Sequence, residues 1–156
     1  MTRTEELLLR LEIERLNAEF AYLIDQGHSE RVADLFTEDG VYGRSTGERS
    51  EGREAIRESY RRRASRGVRT ARHIFSNLRL TVESERRVRG TTILTLFAED
   101  GPPPHPAKPM LVADYDDVYE LCEDERWRYR ERIITWLFKR KDAASPLALG
   151  AKATKR

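Results

Sequence analysis

The chain has 156 residues, 38% hydrophobic and 36% charged, which suits one domain with a real core under a charge-rich surface. Its 29 Lys and Arg against 27 Asp and Glu leave a formal charge of +2, too little field to single out nucleic acid or an anionic membrane as partner. The lone cysteine, Cys122, excludes an internal disulfide, and no Cys/His zinc pattern surrounds it.

The segment Thr4 to Gln26 has the spacing of a long helix. Thr2 and Glu5 stand as a capping box before it, and Gly27 is placed to stop it. Leu9, Ile13, Leu16, Phe20 and Leu23 recur at helical spacing on one face. Leu7, Leu11, Ala18, Tyr22 and Asp25 line the opposite face, interrupted by Glu14. A helix apolar on two sides is expected between layers, with the second side looking into a cavity. No signal-peptide core and no membrane-spanning run is read in the chain, so the expectation is a cytoplasmic protein without membrane attachment.

Ser29 is expected to cap a short helix from Glu30 to Phe36, followed by a turn at Thr37 to Gly40 and a short strand, Val41 to Arg44. A polar loop over Ser45 to Glu51 leads to a third helix, Arg53 to Ser65, with Ile56 and Tyr60 on one side. Arg61, Arg62 and Arg63, with Arg66, Arg69 and Arg72 following, read as solvated surface.

From Ala71 the period becomes two. Ala71 to Val82 forms a strand with Ile74, Ser76, Leu78, Leu80 and Val82 on one face and His73, Phe75, Asn77 and Arg79 on the other. Val88 to Ala98 is a second long strand, Leu111 to Cys122 a third and Arg126 to Phe138 a fourth. Short turns join the first to the second and the third to the fourth, and the proline-rich loop from Glu99 to Met110 cannot pair inside a sheet. Such a series indicates an antiparallel meander. From about Lys141 the pattern fades, so residues 1–140 are expected as the domain and 141–156 as a flexible basic tail, in which Leu147 and Leu149 have the character to dock.

Several local strings accompany this order of elements: Tyr22-Leu23-Ile24-Asp25-Gln26-Gly27, Leu35-Phe36-Thr37-Glu38-Asp39-Gly40-Val41-Tyr42, Glu51-Gly52-Arg53-Glu54-Ala55-Ile56, Arg72-His73-Ile74-Phe75-Ser76-Asn77, Asp114-Tyr115-Asp116-Asp117-Val118-Tyr119 and Trp127-Arg128-Tyr129-Arg130-Glu131-Arg132. With them the chain resembles the SnoaL-like branch of the nuclear transport factor 2-like (cystatin-like α+β cone) superfamily. The resemblance implies an α+β cone, in which a strongly curved, mostly antiparallel or mixed sheet wraps a long N-terminal helix and two shorter ones around a pocket. That superfamily houses dehydratases, isomerases, cyclases, epoxide hydrolases and non-catalytic subunits, so the site must decide the function.

In the lyase-like members an aspartate at the end of the first helix and a histidine on the first long strand carry the chemistry, and Asp25 and His73 occupy those positions. An imidazole takes a proton while a carboxylate on its other nitrogen fixes the tautomer, and the step needs neither cofactor nor metal. The resemblance therefore implies a cofactor-independent lyase or isomerase acting on a small, apolar, cyclic molecule, with Tyr22, Tyr42, Phe75, Arg132 and Trp127 as substrate contacts. A homodimer or homotrimer is expected from the apolar outer face of the sheet. Plainer readings stand beside these: an exposed helix end for Asp25, a core histidine for His73, packed aromatics for Tyr22, Tyr42 and Trp127, and an ion pair for Arg132. The fold also admits a non-catalytic binding or assembly module, or a hydrolase built on Asp25, Arg132 and Asp114 or Asp116. The second histidine of scytalone-type dehydratases has no counterpart, because His28 falls in a turn and His105 in the proline loop.

Overall fold

The computed structural model describes residues 1–143; the remainder of the basic tail, with Leu147 and Leu149, lies outside the described residues. Helix α1 spans Arg3–Asp25 and opens on the expected capping box, with Thr2 accepting from the Glu5 N–H and the Glu5 carboxylate accepting from the Thr2 N–H. It ends in a Schellman motif: the His28 N–H donates to the Leu23 carbonyl at 2.7 Å and the Gly27 N–H to that of Ile24 at 3.3 Å. Gly27 supplies the φ of +82° that this ending needs. The stop makes Asp25 the last helical residue.

A 3₁₀ segment, Ser29–Leu35, follows, with His28 rather than Ser29 at its cap and no side-chain bond there. Strand β1, Phe36–Arg44, starts earlier than expected and absorbs the anticipated turn as an irregularity between Phe36 and Val41. The polar loop yields a three-residue strand β2, Arg49–Glu51, paired to β1, and α2 spans Arg53–Ala64. The four long strands are β3, Arg69–Ser84; β4, Arg87–Asp100; β5, Leu111–Leu121; and β6, Trp127–Lys139. They form one open, mixed sheet ordered β2-β1-β6-β5-β4-β3, with β1 parallel to β6 and every other pair antiparallel.

The core lies between α1 and the inner face of this sheet. Leu9, Ile13, Leu16, Phe20 and Leu23 are buried, as the first stripe of α1 requires. Phe20 meets the rings of Tyr42, His73, Phe75, Tyr115 and Tyr129 edge-on, with centroids 5.8–6.4 Å apart. Aromatic pairs in this geometry contribute about 0.5–1.5 kcal/mol beyond area burial, so one side chain fastens the helix to β1, β3, β5 and β6. The second stripe behaves differently from expectation. Leu7, Leu11 and Tyr22 are exposed, so among the described residues α1 is covered on one side only.

The inward face of β3 changes register part-way. Its pairing with β4 shifts between Ser76 and Arg79, where Asn77 takes φ +54°. Asparagine tolerates this left-handed conformation better than most residues. An inserted residue reverses the alternation, so Leu78 and Leu80 join Phe75 against the core instead of sharing the outer face with Ile74.

Candidate functional site

Asp25 and His73 meet across the seam between α1 and β3. The Asp25 Oδ1 lies 2.7 Å from His73 Nδ1, and Oδ2 accepts the His73 main-chain N–H at 2.9 Å. The two side chains are 10% and 7% exposed for His73 and Asp25, so water screens the contact little. A carboxylate at a helix C-terminus opposes the helix dipole, and these two hydrogen bonds offset that cost. Asp25 takes Nδ1, and among the described residues no partner is bonded to Nε2.

His73, but not Asp25, lines a cavity of about 350 Å³. It is closed by the end of α1, α2, the start of β3 and the inward residues of β4, β5 and β6. Its walls are mainly apolar, with Ile24, Leu94, Leu96, Leu111, Ile134 and Trp136 among them. Three tyrosines, Tyr42, Tyr60 and Tyr115, also face it. The Tyr42 and Tyr115 hydroxyls are 2.9 Å apart, and the rings of Tyr42 and Tyr60 stack with an interplanar angle of 7°. Burial pushes the pKa of all three upward, in Tyr42 against the opposing effect of the Tyr115 hydrogen bond. They are thus neutral O–H groups at ordinary pH, able to donate to a substrate oxygen. Among the described residues no three His, Cys, Asp or Glu side chains converge as metal ligands would.

The other expected contacts divide. Tyr42 is at the cavity. Tyr22 is 56% exposed on the outer side of α1, because Phe20 and Leu23 take the inward positions, and it does not line the cavity. Trp127 starts β6 at the end remote from the cavity; Trp136, nine residues on, supplies the indole that lines it. Phe75 packs on Phe20 and Tyr115 and borders a second cleft, between α1 and β3. His105 bonds the Gly101 carbonyl within the proline loop.

Arg132 is fully buried below the aromatic floor rather than in the cavity wall. It makes a two-pronged pair with Asp117, Nε to Oδ1 and one terminal nitrogen to Oδ2, both at 2.9 Å. The same terminal nitrogen donates to Asn17 Oδ1 at 2.7 Å, and the Tyr129 hydroxyl donates to that oxygen at 2.6 Å. The guanidinium carbon sits 4.1–4.5 Å from the ring centres of Phe20, Tyr115 and Tyr129. Burial, the largest single effect, lowers its pKa, but Asp117 together with Tyr129 and Tyr119 raises it by more, and the net direction is upward. The partner is thus Asp117, not the Asp114 or Asp116 of an Asp–Arg–Asp relay, and Asp25 is engaged elsewhere.

The arginine run also departs from expectation. Arg63 is only 9% exposed, bonds Asp100 at 2.5 Å and, like Arg69, lines the cavity; neither is a solvated surface group. Tyr60, Tyr115, Arg63 and Arg69 are among the cavity residues that sequence reasoning did not select as site residues. Tyr60 carried a signal, standing one turn from buried Ile56 on α2.

A profile described as "SnoaL-like domain" matches residues 5–133. No curated protein matches the chain. Among solved structures, a protein from Novosphingobium aromaticivorans, named provisionally as a scytalone dehydratase, is 22% identical with a TM-score of 0.78, over 99% of this chain and 100% of that one. A Catenulispora acidiphila protein in complex with S-DNPA is 24% identical with a TM-score of 0.68, over 83% and 94%. ActVI-ORFA from Streptomyces coelicolor is 20% identical with a TM-score of 0.70, over 82% and 97%. These likenesses agree with others whose names give a cystatin-like, nuclear transport factor 2-like fold, and all share it. Among the described residues no helix is long and apolar enough to cross a membrane. The chain belongs to the SnoaL-like domain family.

Proposed function

Starting from that membership, we propose that this protein is a cofactor-independent lyase or isomerase that uses His73 and Asp25 for general acid–base chemistry on a small cyclic molecule. The observation that carries the reading is the 2.7 Å contact between Asp25 and His73 Nδ1 beside an apolar cavity that the imidazole itself lines.

In a dehydration, Nε2 takes the proton from a carbon next to a carbonyl, and the C–H electron pair moves into an enolate. Asp25 stabilises the imidazolium so formed and keeps the ring in place. Tyrosine hydroxyls in the cavity donate to the enolate oxygen. The enolate then expels the β-hydroxyl, which takes the proton back from Nε2 and leaves as water. An isomerisation uses the same first step and returns the proton to another carbon. The Novosphingobium and Catenulispora relatives support a small-molecule pocket by the names they carry. A reducing, cytoplasmic setting goes with the free Cys122. A homodimer or homotrimer goes with the exposed Leu137 and Phe138 at the end of β6.

The test is turnover of a panel of cyclic β-hydroxyketones, followed by the ultraviolet absorbance of the conjugated product. The active protein is expected to convert at least one, with His73→Ala and Asp25→Asn slower by about 10²–10⁴-fold. Unchanged turnover in both variants would overturn the assignment. Binding of the panel without any conversion would favour a ligand-binding module on the same fold.

A further inference from the structure

Arg132 stands in one rung of the sheet between two residues of unlike kind. Tyr42 on β1 is its register partner on one side, and Asp117 on β5 on the other. The ion pair with Asp117 therefore has a direction. Its positive end is toward Tyr42, and its negative end lies one strand further off, a spacing of about 4.8 Å. Tyr119 closes the far end, its hydroxyl donating to Asp117 Oδ2 at 2.7 Å. Around the guanidinium carbon stand the rings of Phe20, Phe75, Tyr115 and Tyr129, with centres 4.1–5.1 Å away and Tyr115 nearest. The terminal nitrogen that Asp117 and Asn17 leave over is buried with no hydrogen-bond partner among the described residues, so no acceptor among them takes up that part of the charge.

Two tyrosines link this charge to the cavity. Tyr42 and Tyr115 both line it, with their hydroxyls 2.9 Å apart. One hydroxyl donates to the other, and the one that accepts keeps its own proton for a ligand. Neither Arg132 nor Asp117 lines the cavity, so a bound molecule meets their field through the tyrosines. In so buried a setting a dipole fixed in place acts on charge that appears later without having to reorient. Burial raises the pKa of Tyr42, Tyr60 and Tyr115, and Arg132 opposes it in each; at Tyr42 its effect exceeds the contrary one of Asp117.

We propose that Arg132, without touching substrate, acts through Tyr42 and Tyr115 to favour negative charge on an oxygen bound at their hydroxyls. Arg132 is thus a positioning residue, and Asp117 sets how much of its field reaches the tyrosines. In turnover the oxygen that gains charge is that of the enolate, and this part rests on the chemistry proposed for His73. The effect on a bound oxyanion does not.

The test titrates 4-nitrophenol with pH, free and under excess protein, and reads the phenolate by its yellow absorbance. The probe does not react, so the result is independent of catalysis. Bound to the unsubstituted protein, it is expected to ionise at a lower pH than it does free. Arg132→Met with Asp117→Leu removes both charges and is expected to raise the bound pKa by on the order of one unit. Asp117→Asn keeps an oxygen for the guanidinium and removes the negative charge alone, so it is expected to lower the bound pKa further. Loss of packing would move both variants the same way, whereas a field moves them in opposite directions. Shifts of the same sign, no shift in the double variant, no binding, or a bound pKa at or above the free value would overturn the proposal. The measurement in the unsubstituted protein stands even if a variant fails to fold. Loss of the dyad assignment would show instead as turnover surviving His73→Ala, with the phenol shifts unaffected.

Discussion

Asp25 holds His73 twice, through the main-chain N–H at 2.9 Å and through Nδ1 at 2.7 Å. One carboxylate thereby joins the end of α1 to β3 and orients the imidazole on it. The main-chain bond gives Asp25 a structural share that is separable from its chemical one. Asp25→Ala leaves a buried N–H without its acceptor and is expected to destabilise the fold by about 1–3 kcal/mol in urea unfolding. Asp25→Asn keeps an oxygen for that N–H and is expected to cost less, while still impairing turnover.

Arg132 and Asp117 are both fully buried. Asp117→Ala strands the guanidinium and is expected to cost about 3–5 kcal/mol by chemical denaturation. Replacing both partners, as Arg132→Met with Asp117→Leu, is expected to recover most of that loss, because no unpaired charge remains. A double variant no more stable than Asp117→Ala alone would show that the pair itself, rather than the avoidance of a lone charge, stabilises the core.

Tyr42, Tyr60, Tyr115, Tyr119 and Tyr129 all have pKa values raised by burial above the ordinary 10.0. A group whose folded pKa is raised contributes stability that is full below its unfolded value and is lost as pH rises through the folded one. Stability is therefore expected to hold up to about pH 10 and to fall above it. Tyrosinate absorbance of these five should appear in step with loss of circular dichroism. Ionisation of all five well before unfolding would contradict their burial.

Gly90 on β4 sits where a Cβ would lie 2.7 Å from Tyr119 Cε2 and 3.0 Å from Leu80 Cδ2. Tyr119 belongs to the buried core, and Leu80, turned inward by the β3 bulge, packs against it. Gly90→Ala is expected to cost about 1–3 kcal/mol by overpacking, measured as a lower urea midpoint at an unchanged slope.

Much of the architecture was legible in the chain. The capping box at Thr2 and Glu5, the stop at Gly27 and the four long strands follow from local chemistry, and each appears within a few residues of its expected bounds. The pairing of Asp25 with His73 came through the family resemblance, since nothing in their spacing brings residues 25 and 73 together. The departures share a cause in tertiary contact. Leu7, Leu11 and Tyr22 have the spacing of a buried stripe, but among the described residues no layer covers that side of α1. Leu78 and Leu80 change faces because one inserted residue at Asn77 reverses the count. Arg63 and Arg69 look like surface charge in sequence, and become cavity residues only when the end of α2 and the start of β3 close over the same space.

The central claim is that Asp25 holds His73 with Nδ1 protonated, so that Nε2 presents a bare lone pair to the cavity. Long-range proton–nitrogen correlation of the His73 ring in solution reports that directly. The account predicts, for the neutral ring, a proton on Nδ1 and none on Nε2, with the two tautomers mixing in Asp25→Asn. A neutral His73 protonated on Nε2, or a tautomer indifferent to Asp25→Asn, would contradict it.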